Sequence, residues 1–325
     1  MTVQLLHTRY PLIQAPMNWM TNAEFVASVA LSGALGTLGP NAGQTSLTSD
    51  PVQTADRLRH EILKAQEILD AAPSVPGNLA VNVVVRDPNA TIDGDPFLGP
   101  WLAACFDTGI NAYAVVGSPN PHVFDAIKKH GGTIVFRPLT PTAAAARQAE
   151  ALGADILVAT GREEGGLLPD GPMGTFTAVP AMVDAVSIPV FAAGGINDAR
   201  SVTAAFALGA QGVYVGSRFL ATKESPAAQA VKDLILDSSG EDLVEVSETQ
   251  RSLPTPAALR YAAEYAASHD GAPIEQDLMK KGGLRPGMLV GDFDEGVVTV
   301  NSGIGVIQDI PTVAELVERL ASGIA

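Results

Sequence analysis

The chain reads as an α/β protein: a TIM-type (β/α)8 barrel with a C-terminal, mostly helical addition over the barrel mouth. Three observations predict this. Eight short apolar runs alternate with helical segments from residue 11 to about residue 230, which calls for parallel strands joined by crossover helices. The count of eight favours closure over an open doubly wound sheet. The turns after the seventh and eighth runs are rich in glycine, at the place where such barrels bind phosphate. A Rossmann-type sheet is the competing arrangement. No G-x-G-x-x-G follows an early strand, and AAGGINDAR lies late in the chain without that spacing.

The elements follow in order. Pro11 to Met17 is a first strand ending in a kinked loop, and Asn22 caps a helix over Ala23 to Leu31. Ala34 to Leu38 is the second strand. Asp50 and Pro51 open a long helix that runs to about Asp70, with proline in the first turn as geometry prefers. Asn78 to Val85 is the third strand, interrupted by Asn82. After the loop DPNATIDGDPFLGP come a helix (Phe97 to Thr108), strand four (Ala112 to Val116) and a helix (Pro121 to His130). Strand five, Thr133 to Phe136, has Arg137 at its end. The helix Thr142 to Leu152 leads to strand six, Asp155 to Thr160. The glycine-rich loop GREEGGLLPDGPMGTF and a helix near Val179 to Ala185 precede strand seven, Ile188 to Ala193. Asp198 caps the next helix, Val202 to Leu208, and Gly212 to Val215 is strand eight.

Beyond about Ser225 the alternation stops. Residues 226–237 read as helix, and 241–290 are polar with short helices such as Ala257 to Ala267. VNSGIGVIQDIPTVAELVERL supplies a glycine turn and a closing helix. The expected division is a barrel over 1–235 and a helical lid with the closing helix over 236–325. Residues 240–300 are expected to pack over the mouth, as a lid or as a stabilising cap.

Composition narrows the functional classes. Of the 325 residues, 46% are hydrophobic and 17% charged, so a large core can form. The net charge of -15 argues against nucleic acid and anionic membrane surfaces as partners. One cysteine, Cys105, excludes an intrachain disulfide and a multi-cysteine metal site. Neither a signal peptide nor a membrane span is read, which makes the cytoplasm the expected compartment. Oligomeric state is not legible.

The two glycine turns, Gly194-Gly195 and Gly216-Ser217, let backbone N–H groups approach a phosphate, with the serine hydroxyl as a further donor. The alternative is that these glycines only make tight turns. Few other polar residues stand at strand ends: Gln14, Asn82, Arg137 and the 161–166 loop. Each has a structural alternative, Arg137 as an ion pair and Asn82 as a satisfied core amide. Together they form a polar rim around an apolar pocket, which suits a flat cofactor with a phosphate tail. FMN fits, with its phosphate on Gly194, Gly195, Gly216 and Ser217 and its ring near Ala15, Pro16 and Met17. A cation at Arg137 would stabilise the reduced ring. No metal cluster is visible, and the five histidines are scattered.

PLIQAPM, the asparagine of AVNVVV, GREEGGL, AAGGI, VGSRFLATKES and the C-terminal GIGVIQDIPTVAELV together resemble the nitronate monooxygenase (2-nitropropane dioxygenase-like) family. The family includes FMN-dependent enoyl-acyl-carrier-protein reductases, and some NADH:quinone reductases share the pattern. The resemblance implies a TIM barrel, non-covalent FMN and redox chemistry on a small organic substrate. It implies phosphate contacts at Gly194, Gly195, Gly216 and Ser217, and ring contact at Asn82. The loop that usually reads E-A-G-G-H is here Glu163-Glu164-Gly165-Gly166-Leu167, so the position of the usual catalytic histidine is Leu167. Gly165 and Gly166 are taken as cofactor contacts, and Arg137, Glu163 and Glu164 as the catalytic candidates. The two glutamates are expected to face water. The functions weighed are an FMN oxidase of alkyl nitronates using O₂, an NAD(P)H-dependent FMN reductase of an enoyl thioester or quinone, and a flavin-binding protein with little turnover. A phosphate-isomerase-like barrel without flavin is the remaining alternative.

Overall fold

Eight parallel strands close on one another in chain order, β1 against β8 completing the barrel. The computed structural model describes residues 2–72 and 77–324. A short helix, α1 (Thr2–Leu6), precedes β1 (Leu12–Gln14), α2 (Ala23–Leu31), β2 (Leu35–Leu38), α3 (Pro51–Asp70) and β3 (Asn78–Val85). Then come α4 (Leu98–Asp107), β4 (Ala112–Gly117), α5 (Pro121–Lys129), β5 (Thr133–Pro138), α6 (Ala143–Leu152) and β6 (Ile156–Thr160). The barrel ends with α7 (Thr175–Val183), β7 (Val190–Ala193), α8 (Ala199–Ala207) and β8 (Gly212–Val215). Beyond it lie α9 (Ser217–Leu220), α10 (Gln229–Leu236), β9 (Val244–Ser247), β10 (Gln250–Ser252), α11 (Pro256–Ser268), α12 (Ala272–Lys280) and α13 (Val313–Ala321).

The helices start where their caps stand. Asn22 accepts from the Phe25 N–H at 2.9 Å, and Asp50 accepts from Val52 and Gln53, with Pro51 following. Asp198 with Ser201 and Thr312 with Glu315 form reciprocal capping boxes. Two shells of apolar side chains pack on the strands. Inside the barrel, Ile13, Leu35, Val135, Ile156, Phe191 and Tyr214 meet in one cluster. Leu6 joins that cluster from α1, and the carbonyl of Leu6 accepts from Asn78 at the start of β3. α1 therefore covers the N-terminal end of the barrel and leaves the opposite end open.

Several elements differ from the sequence expectation. Arg137 lies within β5, which runs to Pro138. α7 begins at Thr175 and ends at Val183, earlier than the expected Val179 to Ala185. The addition is not wholly helical, since β9 and β10 form an antiparallel two-stranded sheet. Its residues build a second core around Trp19, Leu253, Met288, Val298 and Ile304. α13 returns to the outer ring against α2 and α8. No helix among the described residues is long and apolar enough to cross a membrane.

Candidate active site

The open end of the barrel holds a cavity of about 990 Å³, walled by the strand ends below and by the segment from Thr249 to Asn301 above. It lies at the upper end of the usual ~300–1,000 Å³ range for small-molecule sites. Ala15, Pro16, Met17, Asn82, Arg137, Glu164, Gly165, Gly166, Leu167, Gly194, Gly195, Gly216 and Ser217 all line it. Glu163 does not. Its carboxylate accepts from the Thr175 N–H at 2.8 Å and the Thr175 hydroxyl at 3.1 Å, which fastens the first turn of α7. Gln14 is a core amide, accepting from Thr37 N–H at 2.9 Å and donating to the Ala15 carbonyl.

The two glycine turns are not equivalent. Gly194 and Gly195 have φ of +95° and +73°, a region that side chains rarely adopt. A Cβ on Gly194 would stand 2.8 Å from the Gly161 carbonyl oxygen. Gly194 is therefore required by the backbone. Gly216 has φ of -108° and ψ of -84°, outside the left-handed region that favours glycine, and a Cβ there would meet nothing nearer than Ala15 Cβ at 3.8 Å. Neither a left-handed φ nor crowding calls for glycine at 216. What a side chain would fill is space in the cavity beside Ser217. The Ser217 oxygen accepts from the Asn301 N–H at 2.8 Å, which leaves its own hydrogen to donate. Asn301 and Asn197 exchange amide hydrogen bonds of 2.8 and 3.0 Å, and Asn197 also donates to the Gly303 carbonyl. The loop after β7 is thereby tied to the turn at 300–303.

Arg137 and Glu164 form an ion pair on the cavity floor, with 10% of each side chain exposed. Arg137 Nε donates to Thr160 Oγ1 at 3.1 Å, and its Nη1 makes no hydrogen bond among the described residues. Glu164 Oε1 is buried without a partner. Burial pushes the Glu164 carboxyl up to about 7 against the pull of Arg137 and, more weakly, Arg251. The expectation that both glutamates face water is therefore overturned, and Arg137 stands in the ion pair that was weighed as its structural alternative. The loop is held on both sides. Ser302 N–H donates to the Glu163 carbonyl, Arg251 donates to the Arg162 and Glu164 carbonyls, and Leu168 N–H donates to that of Thr249. Gly165 lies so close to Val300 that a Cβ would stand 2.4 Å from its carbonyl carbon. With the loop so placed, Glu163 points outward and Glu164 inward. The Asn82 amide donates to the Ala114 carbonyl at 2.7 Å.

Among the lining residues that the sequence reading did not single out are Thr160, Tyr214, Gln250 and Asn301. The Tyr214 hydroxyl and Gln250 Oε1 are buried without partners. Tyr214 sits on alternate-face register in β8, a signal that inward-facing barrel residues share with ordinary core. No histidine lines the cavity, and no metal-type cluster of His, Cys, Asp or Glu occurs among the described residues.

Fold and site together define a (β/α)8 barrel with a large cavity at the C-terminal ends of its strands, the end at which enzymes of this fold carry their active sites. Residues 1–323 match the nitronate monooxygenase family model. A probable nitronate monooxygenase of Staphylococcus saprophyticus is 32% identical over 279 residues, covering 74% of this chain and 73% of its own. A probable nitronate monooxygenase of Staphylococcus aureus is 29% identical over 305 residues, covering 85% and 83%. The structure of FabK from Thermotoga maritima superposes with a TM-score of 0.83 at 27% identity, over 99% of this chain and 94% of that one. The chain belongs to the nitronate monooxygenase family and is an FMN-dependent oxidoreductase.

Proposed function

We propose that the chain oxidises alkyl nitronates with O₂, at an FMN held across the strand ends. The observation that carries the cofactor placement is Gly216, a glycine that neither a left-handed φ nor crowding neighbours demand, beside a serine hydroxyl free to donate. In this reading the backbone at Gly194, Gly195 and Gly216 and the hydroxyl of Ser217 receive the phosphate. Ala15, Pro16, Met17 and Asn82 border the ring, and Gly165 and Gly166 let it approach the loop after β6. When bound, FMN supplies the two-electron acceptor that stands between substrate and O₂.

The chain's own residues favour a substrate that has already lost its proton. Leu167 cannot accept one, and Glu163 is turned to α7. Glu164 is on the floor, but Oε2 is held by Arg137 and Oε1 is out of contact with the cavity. Arg137 Nη1 remains to meet an anionic nitronate oxygen. The Thr249 to Asn301 wall excludes water and strengthens that contact.

The second reading is an NAD(P)H-dependent reductase of an enoyl thioester or quinone, favoured by a cavity with more room than a flavin and a short nitronate need. Anaerobic stopped-flow mixing separates the two. The oxidase reading expects ethylnitronate to bleach the flavin and NADH or NADPH to leave it oxidised over the same period. Fast bleaching by a nicotinamide alone would replace it with the reductase reading.

A further inference from the structure

Five residues of the cavity lining are acidic or basic: Arg86, Asp95, Arg137, Glu164 and Glu275. Arg86 is exposed after Val85, where water and salt screen its charge. Asp95 accepts from the Phe97 and Leu98 N–H groups. Glu275 accepts from the hydroxyls of Ser247 at 3.0 Å and Thr249 at 2.6 Å. Of the five, Arg137 and Glu164 are the buried ones, each 8% exposed. The loop pattern that the chain resembles, E-A-G-G-H, has alanine where this chain has Glu164, so the buried carboxyl is not part of that pattern.

The pair is complete in charge but not in hydrogen bonds. Arg137 commits Nε to Thr160 and Nη2 to Glu164 Oε2, which leaves Nη1 for a ligand. Glu164 Oε1 and the Tyr214 hydroxyl are buried without partners, and the charges of Arg137 and Glu164 both bear on that hydroxyl. An anion that meets Nη1 shares a cation already neutralised by Glu164. Two anions on one cation leave a net buried negative charge, which a low-dielectric site disfavours.

The other groups around Glu164 do not offset that charge. Arg251 on β10 faces it from behind the loop, outside the cavity lining, and donates to the Arg162 and Glu164 carbonyls. On the loop itself, Arg162 donates to the Pro169 carbonyl and Glu163 is turned to Thr175. Tyr214 on β8 stays neutral, because burial pushes its hydroxyl well above the usual range. A proton on Glu164 restores neutrality, and burial already raises that carboxyl to about 7.

We propose that an anionic substrate binds at Arg137 Nη1 together with one proton, which comes from solvent and settles on Oε1 of Glu164. One O–H bond forms, Oε2 stays on Arg137, and the unpartnered Tyr214 hydroxyl offers an acceptor for the new O–H. The proposal rests on the reading above that an anion meets Arg137. It adds that Glu164 holds a proton for as long as that anion is bound.

The test uses the FMN-loaded protein and propanoate, a redox-inert anion that is ionised at the pH values used. Calorimetric titrations in Tris and in HEPES, whose heats of ionisation differ, read the protons taken up per anion bound. Uptake should be about one at pH 8, and affinity should drop about tenfold between pH 8 and pH 9. In Glu164→Gln uptake should vanish and affinity should stay constant over that range, with bound FMN and the melting temperature reporting the fold. Wild-type uptake near zero at pH 8 overturns the proposal, as does a failure of propanoate to bind. Equal uptake in Glu164→Gln also overturns it, by placing the proton on another group. Proton-coupled propanoate binding with no nitronate turnover leaves the coupling standing and removes the oxidase reading instead.

Discussion

Arg137 on β5 and Glu164 after β6 are each the other's charge partner, buried on the floor of the cavity. With Glu164 ionised the pair carries no net charge, and with Glu164 protonated the floor is cationic. The carboxyl is pushed up to about 7, so the change falls near neutral pH. A carboxyl whose pKa rises on folding contributes stability that is complete below its ordinary value of 4.5 and is lost as pH climbs through about 7. Glu164→Gln removes this dependence, although it also leaves Arg137 without its counter-charge. Wild type should therefore lose stability relative to the variant between pH 5 and pH 8, by on the order of 3 kcal/mol. Denaturant titrations at both pH values read it. A difference independent of pH would mean that Glu164 stays ionised throughout.

Gly216→Glu should fold, because φ there is not left-handed and a Cβ would meet nothing beyond its chain neighbours nearer than 3.8 Å. Its carboxylate would occupy the phosphate position, so the purified variant should be colourless at a wild-type melting temperature. Gly194→Ala should behave differently and lose stability outright, on the order of 1–3 kcal/mol, because that turn needs positive φ. Full FMN occupancy in Gly216→Glu would move the phosphate elsewhere.

The Asn197–Asn301 amide pair ties the loop after β7 to the turn that also reaches Ser217. Asn301→Ala leaves the Asn197 amide with buried, unmet hydrogen-bonding capacity, costing about 1–3 kcal/mol. FMN should dissociate faster from this variant, measured as the recovery of free-flavin fluorescence on dilution. An unchanged off-rate would separate the tie from cofactor retention.

Much of the barrel was legible because its signals are local. Asn78–Val85 and Pro51–Asp70 carry their own boundaries, a branched apolar run in one and Asp50-Pro51 in the other. α7 was misplaced because Thr175, Thr177, Val179 and Pro180 are poor helix formers. Its first turn is held by Glu163, twelve residues away. The β9–β10 hairpin was missed because its turn, Glu248-Thr249, lacks glycine or asparagine and β10 reads Gln-Arg-Ser. The glycines and strand-end residues of the cavity could be named from sequence. The inward turn of Glu164 could not, because it depends on distant partners, Arg251 and the 300–302 segment, that grip the loop.

Leu167 stands in the cavity lining, 47% exposed, at the position that the family resemblance gives to a catalytic histidine. Removal of a carbon-bound proton by a positioned base is worth about 10²–10⁴-fold. Leu167→His should therefore raise turnover of neutral nitroethane from the wild-type level while keeping FMN. If turnover does not rise, the loop after β6 does not bring this position near the reacting carbon.

The most direct measurement is O₂ uptake by the FMN-loaded wild-type protein with matched ethylnitronate and neutral nitroethane at one pH. The account predicts uptake with ethylnitronate and a rate with nitroethane lower by about 10²–10⁴-fold, the contribution of the missing base. Comparable uptake with the neutral form would contradict it and make Glu164 the base, and no uptake with either form would remove nitronate oxidation as the function of the site.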